Sequence, residues 1–506
     1  MNLVYEQFNE MVKLMHNNIA ISNEKNNITY DQLENLASKV AFTEKDRGKT
    51  VCLWIPNSLE YVACYLACAK NDMKCLLLDS RMTYQEVQHI IYKYHPDGVI
   101  VDSYTVPSLL LAFENSNIEI ISEKELLKLD NKISFINLNL GEIQNEILLN
   151  NVFNVLYSSG TTGDAKGIMY SAAQIVKQVH VNNKYFKLGE KDNVLCTVEM
   201  SHSYGIFDHV LLGLLNGATV YIMKTKFLTI SNILKKLSEC NITFFGSMPW
   251  VYKEFLNIKK HNYDISKVKY LICGGDYLSE EVQMSFFEKY NNKITQVYGL
   301  TELGYLTINL HKERTKSIGR MIDEIEYEIR EGVLWVKADL TYMSLGYVGK
   351  QMYVDGWFNT NDCIDIASDG YCYFMNRAGD IINIRGNKIE PKEIENLLGK
   401  FPEIKTCVFG EFYGELILLL VLNKGFDRKI TLEHVNTIIK QKLAKFKWPD
   451  KIIAVDSLPV TSLGKLNRKE ILKKYEDIIE NENSSLPKYL SNFPYFTGFS
   501  AHSLVK

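Results

Sequence analysis

Residues 157–167 read YSSGTTGDAKG, a run whose residue types suit an anion. Gly160 and Gly163 let the backbone bend until its N–H groups converge. Ser158, Ser159, Thr161 and Thr162 add hydroxyl donors, and Lys166 adds a point charge. Together they fit the phosphates of a nucleotide. The spacing is not that of a Walker A loop, in which lysine is followed directly by Ser or Thr; here Gly167 follows Lys166. The other tempting stretch, GKT at 48–50, has Thr43 where that pattern requires glycine, and reads as a surface turn. A polar loop with no ligand has a similar composition, so this loop alone decides little.

Such a loop needs a scaffold. Short apolar runs (VCLWI, KCLLLD, DGVIVD, ATVYIM, ITFFGS, VKYLICGG and ITQVYG) alternate with helical patterns along the chain. That alternation predicts an α/β fold with a largely parallel sheet. Sheets of this kind bind ligands at the carboxyl ends of their strands, and glycine turns are expected there after VKYLIC (Gly274, Gly275) and ITQVY (Gly299). MNLVYEQFNEMVKLMHNN carries early acids and reads as a first helix rather than a secretory signal. ITYDQLENLASKVA (28–41) predicts a second helix, with Leu33, Leu36, Ala37 and Val40 on one face and Asp31 as the cap.

From about residue 325 the texture shifts to short hairpin strands, EYEIREGVLWVKAD and DGYCYFMNRAGD, with Asp-Gly turns at 355–356 and 369–370. After Asp380 a strand candidate at 416–422 and a helix candidate near 433–445 mark another small unit. The expected division is a core over 1–378, a small domain over 379–480 and an irregular aromatic tail over 481–506.

A chain of 506 residues is too long for one ordinary core. Its 46% hydrophobic and 23% charged residues are the balance of a soluble globular protein. No stretch approaches a membrane-spanning length of uncharged apolar residues, so no span is expected. Ten cysteines without CxxC spacing argue against zinc and against a disulfide framework, and read as buried thiols in a reducing cytoplasm. The net charge of −3 hides an asymmetry: residues 380–475 hold 18 Lys+Arg against 12 Asp+Glu, leaving 39 against 48 elsewhere. A basic C-terminal part suits nucleotides or an acidic protein partner, and a solvated lysine-rich surface has the same charge. No nucleic-acid partner is expected.

The loop is the first of an ordered series: HSYG (202–205), GGDYLS (274–279), VYGLTE (297–302), GWFNTND (356–362), NRAGD (376–380), RGNKIEPKEIE (385–395) and LPVTSLGKLNR (458–468). In that order and spacing the chain resembles the adenylate-forming superfamily, which includes acyl- and aryl-CoA ligases, luciferase-type enzymes and peptide-synthetase adenylation domains. It is most similar to a free-standing acid–AMP ligase. The resemblance implies a large N-terminal domain of layered, largely parallel sheets with a small β-barrel-like part, followed by a mobile α+β lid. It also implies two steps: a carboxylate attacks the α-phosphate of ATP to give acyl-AMP and pyrophosphate, then a thiol of CoA or of a carrier protein's phosphopantetheine takes the acyl group.

By the same resemblance, residues 158–166 hold the β- and γ-phosphates, and Thr162 and Glu302 place Mg²⁺. Gly275, Asp276, Gln296, Tyr298, Gly299 and Thr301 border the nucleotide, with Tyr298 offering a stacking face. Asp362 accepts from the ribose hydroxyls and Arg377 donates to the same sugar. Lys465 bridges the reacting carboxylate and the α-phosphate, and Gly379 with Asp380 forms the hinge. Three departures stand out: Gly379 replaces a charged hinge residue, Asn361 replaces a glycine in GWFNTND, and GGD carries Asp276. Asn and Gly both tolerate positive φ, so the second departure is mild.

His202 resembles the histidine that flanks and gates the substrate carboxylate, and it counts among the catalytic residues with Lys465 and Glu302. Met200, Ser203, Tyr204, Gly274, Leu300 and Leu303 are the acid-pocket candidates. Ser203 aligns with the aspartate that pairs with the ammonium of amino-acid substrates, which disfavours an ordinary α-amino acid because an unpaired buried ammonium is costly. Asp208 reads as a local cap or local pair. The leading expectation is an aryl or aliphatic acid passed to CoA or to a carrier acting in trans, since no carrier segment is recognisable in the tail. An amino-acid-activating domain and a catalytically weak adenylate-binding subunit are the alternatives.

Overall fold

In the computed structural model, Thr29 rather than Asp31 starts the second helix, Tyr30–Lys39. The Thr29 hydroxyl accepts from the Gln32 N–H at 3.2 Å, and the Gln32 side chain accepts from the Thr29 N–H at 3.0 Å. This reciprocal cap satisfies two donors at once, and Asp31 falls in the first turn, where its charge suits the helix dipole. The same device, Ser171 with Gln174, starts the long helix Ala172–Phe186. The first helix spans Leu3–Met15.

The structure describes residues 2–23, 26–40, 42, 44–102, 119–128, 132–139, 151–158, 166–223, 228–258, 263–275, 278–312, 314–349, 351–377, 382–384, 387–389, 391–412, 414–458 and 471. Its contacts gather into two units. One comprises Met1–Ser80, Val87–Ser158 and Lys166–Gly379; the other comprises Arg81–Glu86, Ser159–Ala165 and Asp380–Lys506.

The first unit is built on two large sheets. In the eleven-stranded sheet, Ile19–Ser22, Thr219–Ile222, Asn193–Cys196, Phe244–Ser247, Tyr270–Cys273 and Ile294–Leu300 run parallel in that spatial order. Gly304–Ile308, Gly319–Met321, Tyr371–Arg377 and Asp362–Ile366 extend it antiparallel. Asn27–Thr29 closes the opposite end. In the eight-stranded sheet, Asn154–Ser158, Lys74–Leu77, Thr50–Trp54 and Gly98–Asp102 are parallel neighbours, with antiparallel strands at both ends. Thr50–Trp54 is buried along its whole length, as a strand covered on both faces must be. The part expected to resemble a barrel takes the form of a three-stranded antiparallel sheet, Ile325–Arg330, Val333–Ala338 and Phe358–Asn359. Asp355 (φ 50°) and Gly356 (φ 78°) make the Asp-Gly turn between Val354 and Trp357.

The second unit pairs Ile404–Phe412, Glu415–Leu422 and Lys451–Ala454 in one sheet and Ile382–Ile384 with Asn387–Ile389 in another. Its helices are Pro391–Leu398 and Arg428–Lys442. Ile389, Ile394, Leu398, Phe409, Leu418, Leu420, Val435 and Ile439 form a core of their own. Among the described residues no helix is long and apolar enough to cross a membrane. All ten cysteines are free, and all but Cys240 and Cys363 are buried.

One glycine is a stability hinge-point for the site sheet. Gly319 has φ 102°, and a Cβ there would sit 2.1 Å from the Ile308 carbonyl carbon and 2.2 Å from the Asn309 nitrogen. Backbone strain and overpacking then act together, so Gly319→Ala lowers stability by about 2–5 kcal/mol. Denaturant unfolding of wild type and variant side by side is the check; an unchanged midpoint contradicts it.

Candidate active site

The parallel strands place their carboxyl ends in register: Ser247 lies beside Cys273, and Cys273 beside Gln296. Three chain turns therefore leave the sheet at one edge, where ligands of such sheets bind. Gly274 and Gly275 form the middle exit. A Cβ on Gly274 would meet Val297 Cγ2 at 2.8 Å, and Gly275 has φ 83° with Met248 Sδ 3.0 Å from where its Cβ would stand. Asp276 lies outside the described residues.

The third exit differs from the expected turn. The strand Ile294–Leu300 runs on through Gly299, and its pairing with Gly304–Ile308 slips at Tyr298/Gly299. The slip needs glycine, because a Cβ on Gly299 would lie 2.4 Å from the Gly304 carbonyl oxygen. The turn beyond carries Thr301 and Glu302. The Tyr170 hydroxyl donates to the Thr301 carbonyl at 2.7 Å, and the Ser344 N–H donates to the Glu302 carbonyl at 3.1 Å. Glu302 is buried (8% exposed), and its Oε1 accepts from the Tyr347 hydroxyl at 2.8 Å. Burial, and then the Glu302 charge, push the Tyr347 phenol far above its ordinary range, so it donates rather than ionises.

Tyr298 donates from its hydroxyl to Asp362 Oδ2 at 2.7 Å, and its ring lies 6.5 Å from that of Phe374. Asp362 is 1% exposed, and its N–H donates to Thr360 Oγ1 at 3.1 Å. Asn361 has φ 55°, so this asparagine holds the conformation a glycine would. Asp362 pairs with Arg377 across the strands, of which only the backbone is described at Arg377. Gln296 is committed elsewhere: its Nε2 donates to the carbonyls of Thr315 (2.6 Å) and Ser317 (2.9 Å), which makes it an anchor for that loop.

The anion loop springs from the other sheet. Ser158 and Lys166 are directly paired at the mouth of the hairpin Asn154–Ser158/Lys166–Tyr170. Their side chains, and residues Ser159, Gly160, Thr161, Thr162 and Gly163, lie outside what is described. So do Gly379, Asp380 and Lys465.

His202 starts the short helix Ser203–Gly205, which runs into a π turn, Ile206–Leu211. Its Nε2 stands 3.3 Å from Oδ2 of Asp79, a buried residue just past the strand Lys74–Leu77. Asn57 holds the approach to His202: its Nδ2 donates to the Val198 carbonyl at 2.7 Å and its Oδ1 accepts from the Met200 N–H at 2.9 Å. Met200, Leu300 and Leu303 are members of the main core, and Met200 and Leu303 are fully buried. Tyr204 donates to the Ile272 carbonyl at 3.4 Å and stacks edge-on against His209. Asp208 is not a local cap; its Oδ1 accepts from Nδ2 of Asn182, on the helix Ala172–Phe186, at 2.8 Å.

Sequence reasoning missed Asp79, Tyr347 and Asn182. Only Asp79 left a signal, as the acid ending the run KCLLLD at a strand's carboxyl end. Among the described residues no group of three or more His, Cys, Asp or Glu could hold a metal ion.

Residues 8–334 match the family model of AMP-binding enzymes, and residues 393–465 match that of the AMP-binding enzyme C-terminal domain. Among curated proteins, a probable CoA ligase of Humulus lupulus is 26% identical over 470 residues, covering 84% of this chain and 84% of that one. Among solved structures, o-succinylbenzoate CoA synthetase of Bacillus subtilis aligns with a TM-score of 0.77 at 19% identity, over 92% of this chain and 98% of that chain. An amide bond synthetase of Marinactinospora thermotolerans aligns with a TM-score of 0.80 at 17% identity, over 94% and 100%.

Proposed function

The chain belongs to the AMP-binding enzyme family, and from that premise we propose that it activates a small carboxylic acid with ATP, releasing pyrophosphate, and hands the acyl group to a thiol. The acceptor is CoA or the phosphopantetheine of a carrier protein. The observation that carries the reading is the Tyr298–Asp362 pair, a buried carboxylate beside an aromatic face, with Glu302 in the turn that follows the same strand. That grouping suits ribose hydroxyls, a base and the polyphosphate end of one nucleotide.

The first step brings two anions together, so charge must be offset where it builds on the phosphate oxygens. The Ser158–Lys166 loop supplies N–H, hydroxyl and ammonium donors to the β- and γ-phosphates. Asp362 takes the ribose and Tyr298 borders the adenine. His202, held by Asp79, flanks the acid carboxylate, and Lys465 joins acid and α-phosphate when the lid over 379–480 closes through Gly379 and Asp380. The donor set fits Mg²⁺ rather than a metal caged by protein: one buried oxygen ligand, Glu302, with Thr162 and substrate phosphates completing the shell. Bound there, the ion would neutralise phosphate charge.

ATP–pyrophosphate exchange over a panel of acids tests the reading, followed by product analysis with CoA and with a holo-carrier. Exchange with an aryl or alkyl acid supports it; silence with every acid rejects it in favour of an adenylate-binding subunit. Tyr298→Phe keeps the ring and loses the 2.7 Å donor, so it raises KM for ATP about 10- to 100-fold, the scale of one hydrogen bond to a charged group, with kcat little changed. An equal fall in kcat would assign Tyr298 to the transition state instead.

A further inference from the structure

The π turn that follows His202 buries a carboxyl that meets no cation among the described residues. Asp208 is 5% exposed, and the structure gives it one hydrogen bond, from Asn182 Nδ2. The groups acting on it are phenols and an amide. Tyr204 stands one turn back; Tyr305 comes from Gly304–Ile308 and Tyr342 from the turn beyond Val333–Ala338. His209, next in the chain, is fully buried, and burial lowers it to about 4. Its Nδ1 donates to the Tyr204 carbonyl at 2.6 Å, and its Nε2 accepts from the Gly246 N–H at 3.1 Å. Among the described residues nothing cationic acts on Asp208, and burial holds its carboxyl well above the ordinary range.

Two further polar atoms beside it are buried without partners. Asn182, 1% exposed, leaves its Oδ1 unbonded, and Tyr305, 4% exposed, leaves its hydroxyl unbonded. Orphaned polar atoms at such depth are uncommon and cost stability until something satisfies them. A carboxylate oxygen, an amide oxygen and a phenol oxygen are three acceptors, and a primary ammonium has three N–H donors. The spot lies six residues beyond His202, on the order of 8 Å along a helical path, and one turn beyond Tyr204.

We propose that Asp208, Asn182 Oδ1 and the Tyr305 hydroxyl close the far end of the acid pocket around a primary ammonium carried by the substrate, so that the acid activated is an amino acid whose amino group is remote from its carboxyl. The inference rests on the ligase reading above. It also accounts for Ser203: with no acid beside His202, the ammonium has no partner near the carboxylate and finds one further along the same helix.

The test is ATP–pyrophosphate exchange with ω-amino acids of increasing length and aminoaryl acids, each against its methyl-terminated counterpart, on wild type and Asp208→Asn. The expected result is a wild-type preference for one ammonium-bearing acid of about 100-fold or more in kcat/KM, the scale of one partner in a buried charge pair, which collapses in the variant. A wild type that prefers neutral acids, or an Asp208→Asn enzyme with the preference intact, overturns the inference while the ligase reading stands; a buried water on the three atoms would give that outcome. Silence with every acid overturns both. Substrate-free melting curves guard against misfolding and carry their own sign. The folded Asp208 carboxyl binds its proton more tightly than the unfolded one, so its cost is absent below the unfolded range near pH 4 and grows as pH rises toward the folded value. Asp208→Asn is therefore more stable than wild type at neutral pH, with the margin closing in acid.

Discussion

Lys465→Ala abolishes acid-dependent ATP–pyrophosphate exchange, by about 1,000-fold or more, and leaves the melting temperature unchanged. The expectation follows from charge. The reacting carboxylate and the α-phosphate are both anions, and the side chain paired with His202 is itself an acid, Asp79. On the ligase reading proposed above, the Lys465 ammonium would offset repulsion when the reacting atoms meet, and a preorganised charge in a dehydrated site acts with far more force than in water. It also fixes the approach of one group to the other, an orientation effect large by itself. A lysine suits the role better than an arginine because a compact ammonium on a flexible stem can arrive and withdraw. The same variant still consumes a pre-formed acyl-adenylate with thiol, since that step sheds AMP and no longer joins two anions. Retained exchange in Lys465→Ala, with folding intact, removes Lys465 from the mechanism.

Glu302→Gln lowers kcat/KM for ATP by about 100- to 1,000-fold and shifts the Mg²⁺ dependence to higher concentration, while Tyr347→Phe costs roughly tenfold. Glutamine keeps the shape of the side chain and its contact with the Tyr347 hydroxyl at 2.8 Å, so the difference isolates the charge. A hard divalent cation bound through one protein carboxylate and substrate phosphates loses most of its protein-derived attraction when that carboxylate is neutralised. Tyr347 acts through Glu302: its hydroxyl fixes Oε1, and losing it frees a buried carboxylate to wander without removing it. Titrating Mg²⁺ at fixed ATP separates the two. If Tyr347→Phe equals or exceeds Glu302→Gln, the carboxylate is structural and the tyrosine is the functional group.

Much of the parallel sheet was legible in the sequence because short apolar runs between helices have few other fates. VCLWI, DGVIVD and VKYLIC became Thr50–Trp54, Gly98–Asp102 and Tyr270–Cys273. The hairpin strands and the Asp-Gly turns were equally readable from turn chemistry. What escaped depends on tertiary context. The cap of Tyr30–Lys39 moved to Thr29 because Gln32 reciprocates, a choice that a list of favoured capping residues does not make. The slip at Gly299 and the π turn at Ile206–Leu211 have no period of their own; neighbours impose them. Asp208 was misread because its partner, Asn182, lies 26 residues back on another helix. Asp79 and Tyr347 belong to no ordered motif and gain their roles only by where the strands deliver them. Gln296 shows the converse: its motif position suggests the nucleotide, and its amide is spent on two backbone carbonyls.

The slipped return at Gly299–Gly304 has a practical outcome for anyone trying to retune this protein. Tyr298 sits at the start of that stiff bracket and Glu302 in its turn, so on the proposed reading the spacing between base and ion is a fixed gauge rather than two adjustable screws. Variants selected for a different nucleotide base should therefore drift in their divalent-ion requirement as well, and independent adjustment of the two would have to begin by rebuilding the bracket itself.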